Sequence, residues 1–159
     1  LAERGIPGMK VMRWERNWHA EGHPFHDVTS YSDVSVATSG THDTETMAEW
    51  WDSASVYERQ CVLALPIMRD AGLSPEAPFS DRTRDVQLEV LFAAGSRLLI
   101  LPMQDLFGWR DRINTPALVN DENWTWRLPG PVDDLMTDSG AAERAGFLHD
   151  LSRKHARAR

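Results

Sequence analysis

Three short apolar segments, separated by amphipathic stretches, set the pattern of the chain. Residues 9–14 follow Pro7-Gly8, residues 34–38 alternate weakly, and residues 98–103 are apolar throughout. Short apolar runs bounded by turn residues are typical of β-strands, and an unbroken apolar run is typical of a strand buried on both faces. The pattern therefore predicts three strands, the third of them buried on both faces.

Helices are predicted between and after these strands. Thr46 and Ser55 each precede a glutamate by three residues, which is the spacing of a capping box, so two helices are expected to begin just after them. Pro66 is expected to kink or end the second of these helices. Helical periodicity predicts two further helices, over residues 81–94 and 141–158.

The alternation of strands and helices predicts a parallel α/β sheet with right-handed crossovers. In such sheets the chemistry is found at the C-terminal ends of the strands. A carboxylate follows each predicted strand, in the pairs Trp14-Glu15, His42-Asp43 and Gln104-Asp105. This convergence predicts a functional site at one end of the sheet.

Asp43 is the most informative of these carboxylates. It lies between a predicted strand and a predicted helix, so it could be a carboxylate that faces a cleft or an ordinary helix N-cap. His42 could donate a hydrogen bond to a ligand hydroxyl or simply pack. Position alone leaves both alternatives open for both residues.

Composition narrows the classes of function. The 159 residues carry a net charge of −7, which argues against nucleic acid as a partner because phosphate binding needs a basic surface. The apolar runs are too short to span a bilayer. One cysteine, Cys61, excludes an internal disulfide, so we expect a cytoplasmic protein. Because the chain begins at Leu1 rather than Met, we expect a processed chain or a fragment.

Cysteine, histidine and tryptophan residues are further candidates for a functional role. Cys61 lies on a predicted helix face and is interpreted as a core residue. His19, His23 and His26 could form a metal site, but Gly22 and Pro24 argue against the regular helix that would align them, and no metal and no cofactor are expected. Core packing is expected for most of the seven tryptophans, although an indole can also stack on a sugar. These are Trp14, Trp18, Trp50, Trp51, Trp109, Trp124 and Trp126.

Three stretches, in order along the chain, resemble the amylomaltase (disproportionating enzyme) family of 4-α-glucanotransferases. The second, residues 39–43, is similar to the family's Thr-Gly-Thr-His-Asp. The family often has Asn-Asp where this chain has Thr44-Glu45. The stretches are Gly5-Ile6-Pro7-Gly8-Met9-Lys10-Val11; Ser39-Gly40-Thr41-His42-Asp43; and Gln104-Asp105-Leu106-Phe107-Gly108 with Ile113-Asn114-Thr115-Pro116 and Asn123-Trp124-Thr125-Trp126-Arg127-Leu128.

This resemblance implies the C-terminal third of a (β/α)8 TIM-type barrel, with three parallel β/α units similar to strands six to eight. It implies retaining transfer of α-1,4-glucan segments between maltodextrins. Asp43 matches the third carboxylate, which stabilises the transition state, and His42 matches a ligand of the same sugar. Asn114 and Trp14 match positions near the substrate, and Asp105 is expected to support the loop after the last strand.

The resemblance also implies that this chain lacks the nucleophile and the general acid/base. The family's nucleophile and general acid/base come from strands before the Gly-Ile-Pro-Gly segment, and a full barrel needs about 250 residues. We therefore expect a fragment that is inactive without the N-terminal part of its barrel. Residues 1–131 are assigned to the partial barrel and residues 132–159 to a C-terminal helical extension. The alternative hypothesis is an α-glucan-binding module without catalysis.

Overall fold

A computed structural model of the protein describes residues 4–157. Its sheet has three parallel strands in the order β1-β2-β3. Gly8 to Val11 of β1 pair with Ser35 to Thr38 of β2, and Val36 and Ala37 of β2 pair with Leu98 and Leu99 of β3. The predicted parallel α/β arrangement is confirmed. The strands are β1 (Gly8–Val11), β2 (Ser35–Thr38) and β3 (Leu98–Leu99).

The strands are shorter than predicted. Residues 12–14, expected to extend β1, form a 3-10 helix, Met12–Trp14. The prediction that the third strand is buried on both faces is wrong, because Leu98 is 46% and Ile100 63% exposed. Within residues 4–157, β3 pairs with β2 alone, so an apolar sequence that suits a covered strand lies here at an open edge.

Residues 4–157 contain six α-helices. Both predicted N-caps are confirmed, since the side chains of Thr46 and Ser55 accept hydrogen bonds from the backbone of Glu49 and Glu58. The helices are α1 (Met47–Ser53), α2 (Val56–Leu63), α3 (Pro66–Asp70), α4 (Asp81–Phe92), α5 (Met103–Phe107) and α6 (Ser139–Lys154), with further 3-10 turns at Val28–Ser30 and Val132–Met136.

The structure gives the outcome at Pro66, at α5 and at the terminal helix. The prediction that Pro66 kinks or ends the second helix is confirmed in its second form, because α2 ends at Leu63 and Pro66 starts the new helix α3, where its missing N–H costs nothing. Helix α5 lies in a stretch with no clear periodicity, because five residues are too few to show one. The terminal helix covers Ser139–Lys154 rather than residues 141–158, of which 158 lies outside the described residues.

The core lies where the helices meet the sheet. Trp51, Met47 and Leu88 are fully buried, and the Trp51 indole donates to the carbonyl of Ala77 at 2.9 Å. Core packing is confirmed for Trp50 and Trp51 but is wrong for the exposed tryptophans. Cys61 is partly buried against the same core. The exposed tryptophans are Trp14, Trp18 and Trp124.

Helix α6 is held against α4. Arg144 and Lys154 form ion pairs with Asp85 (2.8 Å) and Glu89 (2.6 Å) of α4. Arg157 donates to the carbonyls of Phe92 (2.6 Å) and Ser96 (3.0 Å), and so satisfies backbone acceptors at the end of α4 that the helix itself leaves open. The C-terminal residues therefore pack on the same helical layer that covers the sheet.

Candidate active site

The loop after β2 carries the predicted site residues. Thr38 Oγ1 donates to the carbonyl of Gly40 at 2.8 Å, and Thr44 Oγ1 accepts from Thr41 N at 2.9 Å and donates to Thr41 O at 3.0 Å. A Cβ on Gly40 would lie 2.5 Å from Thr44 Oγ1 and 3.1 Å from Arg13 Nη2. Glycine is needed at position 40 because the loop closes tightly over it.

Asp43 is not a helix cap. The N-cap of α1 is Thr46, which forms a complete capping box with Glu49: Glu49 N donates to Thr46 Oγ1 at 3.3 Å, and Thr46 N donates to Glu49 Oε2 at 3.2 Å. The Asp43 side chain is 48% exposed. Of the two alternatives left open by the sequence, the structure excludes the helix cap.

Asp43 N donates to Thr41 Oγ1 at 3.2 Å within the loop, and three further residues contact Asp43. Asn114 Nδ2 donates to Asp43 Oδ1 at 2.6 Å, and His42 Nε2 lies 3.3 Å from Asp43 Oδ2. Arg112 Nη2 donates to the Asp43 backbone carbonyl at 3.2 Å. The structure thus brings together three of the four predicted site residues, Asp43, His42 and Asn114, and adds Arg112, which no sequence pattern had indicated.

Asn114 reaches Asp43 from a long irregular segment that its own side chains hold in place. The Asn123 amide accepts from Thr115 N at 2.9 Å and donates to the carbonyls of Thr115 (3.2 Å) and Leu118 (2.8 Å). Trp124, at a φ of +65°, then packs on His42 with ring centroids 5.1 Å apart. Trp124 belongs to the motif of residues 123–128, but it lies 82 positions from His42, so the sequence did not predict this contact.

A buried arginine holds the loop after β2 through its backbone carbonyls. Arg13, 7% exposed, donates from Nε to the Ser39 carbonyl at 3.2 Å and from Nη2 to the Glu45 carbonyl at 2.8 Å. Its Nη1 also binds Glu45 Oε2 at 3.1 Å, and Arg112 Nη1 lies 3.9 Å from the other Glu45 oxygen. Glu45 therefore joins Arg13 and Arg112, the cation that holds the Asp43 backbone.

Asp105 ties the third strand end to the same loop. It is 1% exposed and accepts hydrogen bonds from the Ser39 hydroxyl and, at 2.6 Å, from the Met47 backbone N–H. Burial raises the pKa of Asp105, although these hydrogen bonds and the nearby Arg13 charge oppose the rise. Its position joins the loop after β2, α5 and the start of α1.

The fourth predicted residue is not brought into this cluster. Trp14 ends the 3-10 helix after β1, which places it at the same end of the sheet as His42-Asp43, and it is 51% exposed. Within the described residues, the hydrogen bonds and ion pairs of Asp43 do not include Trp14. A cavity of about 340 Å³ lies on the Asn114 side and is bordered by Arg112 and Trp126.

The histidine-rich loop shows no metal geometry. His19 and His23 do not share a helical face, since residues 15–27 contain no helix. His23, at a φ of +44°, packs on Trp18 with ring centroids 5.3 Å apart. Among residues 4–157, no three His, Cys, Asp or Glu side chains form a group that could hold a metal ion.

Comparison with known proteins gives the family. The sequence model of the 4-alpha-glucanotransferase family matches residues 1–133. The 4-alpha-glucanotransferases of Chlamydia caviae and Thermus thermophilus are 30% identical over 143 residues and 31% identical over 150 residues, covering 86% and 89% of this chain. The chain spans only 26% and 27% of those proteins, or about a quarter of the length of the curated relatives it matches.

Two solved structures share the fold. Amylomaltase from Streptococcus agalactiae in complex with acarbose has a TM-score of 0.71 at 26% identity, covering 100% of this chain and 29% of that one. Amylomaltase from Corynebacterium glutamicum has a TM-score of 0.67 at 16% identity, covering 92% of this chain and 26% of that one, and shows the fold alone. The chain therefore belongs to the 4-alpha-glucanotransferase family.

Proposed function

We propose that these residues form the last three β/α units of a (β/α)8 barrel that transfers α-1,4-glucan segments between maltodextrins with retention of configuration. The observation that carries the proposal is Asp43: a half-exposed carboxylate at a strand end, oriented by Asn114 and His42. The acarbose-bound neighbour, a relative at 26% identity, supports an α-glucan as the ligand.

Asp43 acts on the transition state rather than as the nucleophile. The bond from Asn114 fixes one carboxylate oxygen and Arg112 fixes the backbone, so the carboxylate is preorganised and can accept hydrogen bonds from sugar hydroxyls. As the sugar becomes oxocarbenium-like and gains positive charge, these hydrogen bonds and the negative charge stabilise it more than the ground state. His42 contributes a further polar contact to the same sugar.

A retaining reaction needs two other carboxylates about 5–5.5 Å apart. No Asp or Glu of this chain matches the family motifs for them, so we propose that they come from the N-terminal part of the barrel and that the 159-residue chain alone is inactive. Incubated with maltotriose, the purified chain is expected to release no glucose and to make no longer maltodextrins. Disproportionation by the chain alone would contradict this proposal.

Asp43→Asn tests the role of the carboxylate in the complete polypeptide that carries these residues. Loss of one preorganised electrostatic group is expected to lower kcat about 10²- to 10³-fold, with a smaller change in KM. Asp70→Asn, at a side chain that is 73% exposed, is the matched control and should keep full activity. Wild-type kcat in Asp43→Asn would overturn the assignment.

The alternative, an α-glucan-binding module without catalysis, predicts that the isolated chain binds maltodextrin. Maltodextrin binding would then be lost in Trp14→Ala and unaffected by Asp43→Asn. Trp14 is exposed enough to stack on a sugar, which is the observation that favours this alternative.

The cellular location of the protein and its division into domains are also proposals. The described helices all lack the combination of length and apolar character needed to cross a bilayer. We propose a cytoplasmic enzyme, with residues 1–131 in the catalytic barrel, residues 132–159 as a helical extension, and Trp14 as an aromatic contact for the substrate.

A further inference from the structure

A cavity of about 560 Å³ lies where the start of α4, the end of α5 and the start of α6 meet. We name it the Trp109 pocket, after its tryptophan; Arg84, Phe107 and Glu143 also line it. Its volume falls in the range of about 300–1,000 Å³ that is usual for small-molecule sites. Asp43, His42 and Asn114 do not line it, so it is separate from the candidate active site.

Local backbone geometry places the aromatic wall. Gly108 ends α5 in the left-handed conformation, at a φ of +76°, and Trp109 N then donates to the Gln104 carbonyl at 2.8 Å. This turn stacks the Trp109 ring on Phe107, with centroids 4.6 Å apart and planes 14° apart. Trp109 is only partly buried, so a fixed indole borders the cavity, ready to pack on the C–H face of a sugar ring.

A buried arginine also lines this cavity. Arg84 is 8% exposed, and its Nη1 donates to Asp81 Oδ1 at 2.9 Å and to the Phe107 carbonyl at 3.3 Å. Its Nε donates to Asp85 Oδ1 at 2.9 Å. Among the residues the structure describes, these bonds hold the guanidinium still and leave Nη2 uncommitted.

The charges around the pocket select the class of ligand. Four carboxylates outnumber two guanidinium groups, which disfavours an anion. The arginines are already paired with aspartates, so a phosphate or carboxylate would have to compete for them. Sugar hydroxyls can donate to carboxylates and accept from arginine at once, which a neutral sugar does without a charge penalty. The charged lining residues are Asp81, Asp134, Asp138, Glu143, Arg84 and Arg144.

We infer that the Trp109 pocket is a second carbohydrate-binding site, which holds a neutral oligosaccharide with one ring stacked on Trp109. The choice of an α-1,4-glucan among neutral sugars rests on the proposed function.

Calorimetric titration of the 159-residue chain with maltotetraose tests the site. We expect saturable binding, and Trp109→Ala is expected to raise Kd about tenfold because an aromatic contact of this kind contributes that much. Trp109→Phe retains a ring and should lie between the two. Trp18→Ala, at a tryptophan that is 60% exposed, is the matched control and should keep the wild-type Kd.

Two further arms separate this site from the active site and from other sugars. Asp43→Asn should leave the Trp109-dependent binding unchanged, whatever it does to transfer activity in the complete polypeptide. Cellotetraose, with β-1,4 links, should bind much more weakly. Wild-type binding by a folded Trp109→Ala variant, binding lost only in Asp43→Asn, absence of binding by the wild-type chain, or equal binding of cellotetraose would overturn the inference.

Discussion

Asp105 shows how one buried residue makes stability depend on pH. Burial raises its pKa above the ordinary value of 3.8. Between the unfolded and the folded pKa the folded chain binds more protons, so this carboxyl lowers the free energy of unfolding as pH rises through that interval. Asp105→Asn lacks this titration, so its stability relative to wild type should increase as pH rises from about 3 to about 7.

Urea unfolding across this pH range provides the measurement. Asp105→Ala serves as a second variant: it leaves the Met47 N–H without its acceptor and should be less stable than Asp105→Asn at every pH. Parallel stability profiles for wild type and Asp105→Asn would contradict a raised pKa at this site.

Gly40 makes a steric prediction at the same scale. In Gly40→Ala the new methyl would collide with the Thr44 hydroxyl. This hydroxyl already accepts a hydrogen bond from the Thr41 N–H and donates one to the Thr41 carbonyl. We expect a loss of about 1–3 kcal/mol in the free energy of unfolding. Gly146→Ala is the control: it meets nothing within 4 Å on α6 and should be neutral or stabilising. Equal melting temperatures for the two variants would contradict the close packing at Gly40.

At the scale of elements, the site depends on where α1 begins. Thr46 caps α1 only three residues after Asp43, so the cap fixes one end of the functional loop. Thr46→Ala should cost about 1 kcal/mol in chemical unfolding. Ser55→Ala, which removes the corresponding cap of α2 away from the loop, should cost a similar amount of stability but leave His42 resonances in NMR spectra unshifted, whereas Thr46→Ala should shift them.

The sequence predicted these elements unevenly, for physical reasons. The caps of α1 and α2 and the parallel order were predictable because capping and apolar periodicity are local signals. Helix α5 was not predictable, because a five-residue helix carries too little periodicity, and the strands were predicted longer than they are. Arg13 was missed because the sequence does not distinguish a buried arginine from a solvated one, and only the fold brings Glu45 and Ser39 to it. Arg112 was missed because only the fold brings the Asp43 carbonyl to it.

The resemblance located His42, Asp43 and Asn114 from motif order, while their mutual geometry came only from the fold. The Asn114–Asp43 hydrogen bond joins residues 71 positions apart, which periodicity cannot show. Trp14 illustrates the opposite case: it was predicted from the same resemblance, yet the contacts of Asp43 do not include it.

At the scale of the molecule, the open edge of the sheet has a measurable consequence. Leu98 of β3 and Ile100, just after β3, are exposed, and β3 pairs with one neighbour in the described part of the chain. Unpaired apolar edges template further strand pairing, so the isolated chain should self-associate as its concentration rises. Ile100→Lys should reduce this association in sedimentation velocity, and Val119→Lys, in an exposed loop, should not. A chain that stays monomeric at all concentrations would contradict this prediction.

The hydrogen bonds of the Asn123 side chain also make the position of Asn114 independent of the length of the loop that follows Thr115. Residues 117–122 are all exposed, while the Asn123 amide binds Thr115, the neighbour of Asn114, on both its N–H and its carbonyl. Extra residues between Leu118 and Asn120 would lengthen the protruding tip without pulling Asn114 off Asp43. This tip is therefore a permissive point, where evolution could add a new recognition surface or an engineer could insert a fluorescent reporter.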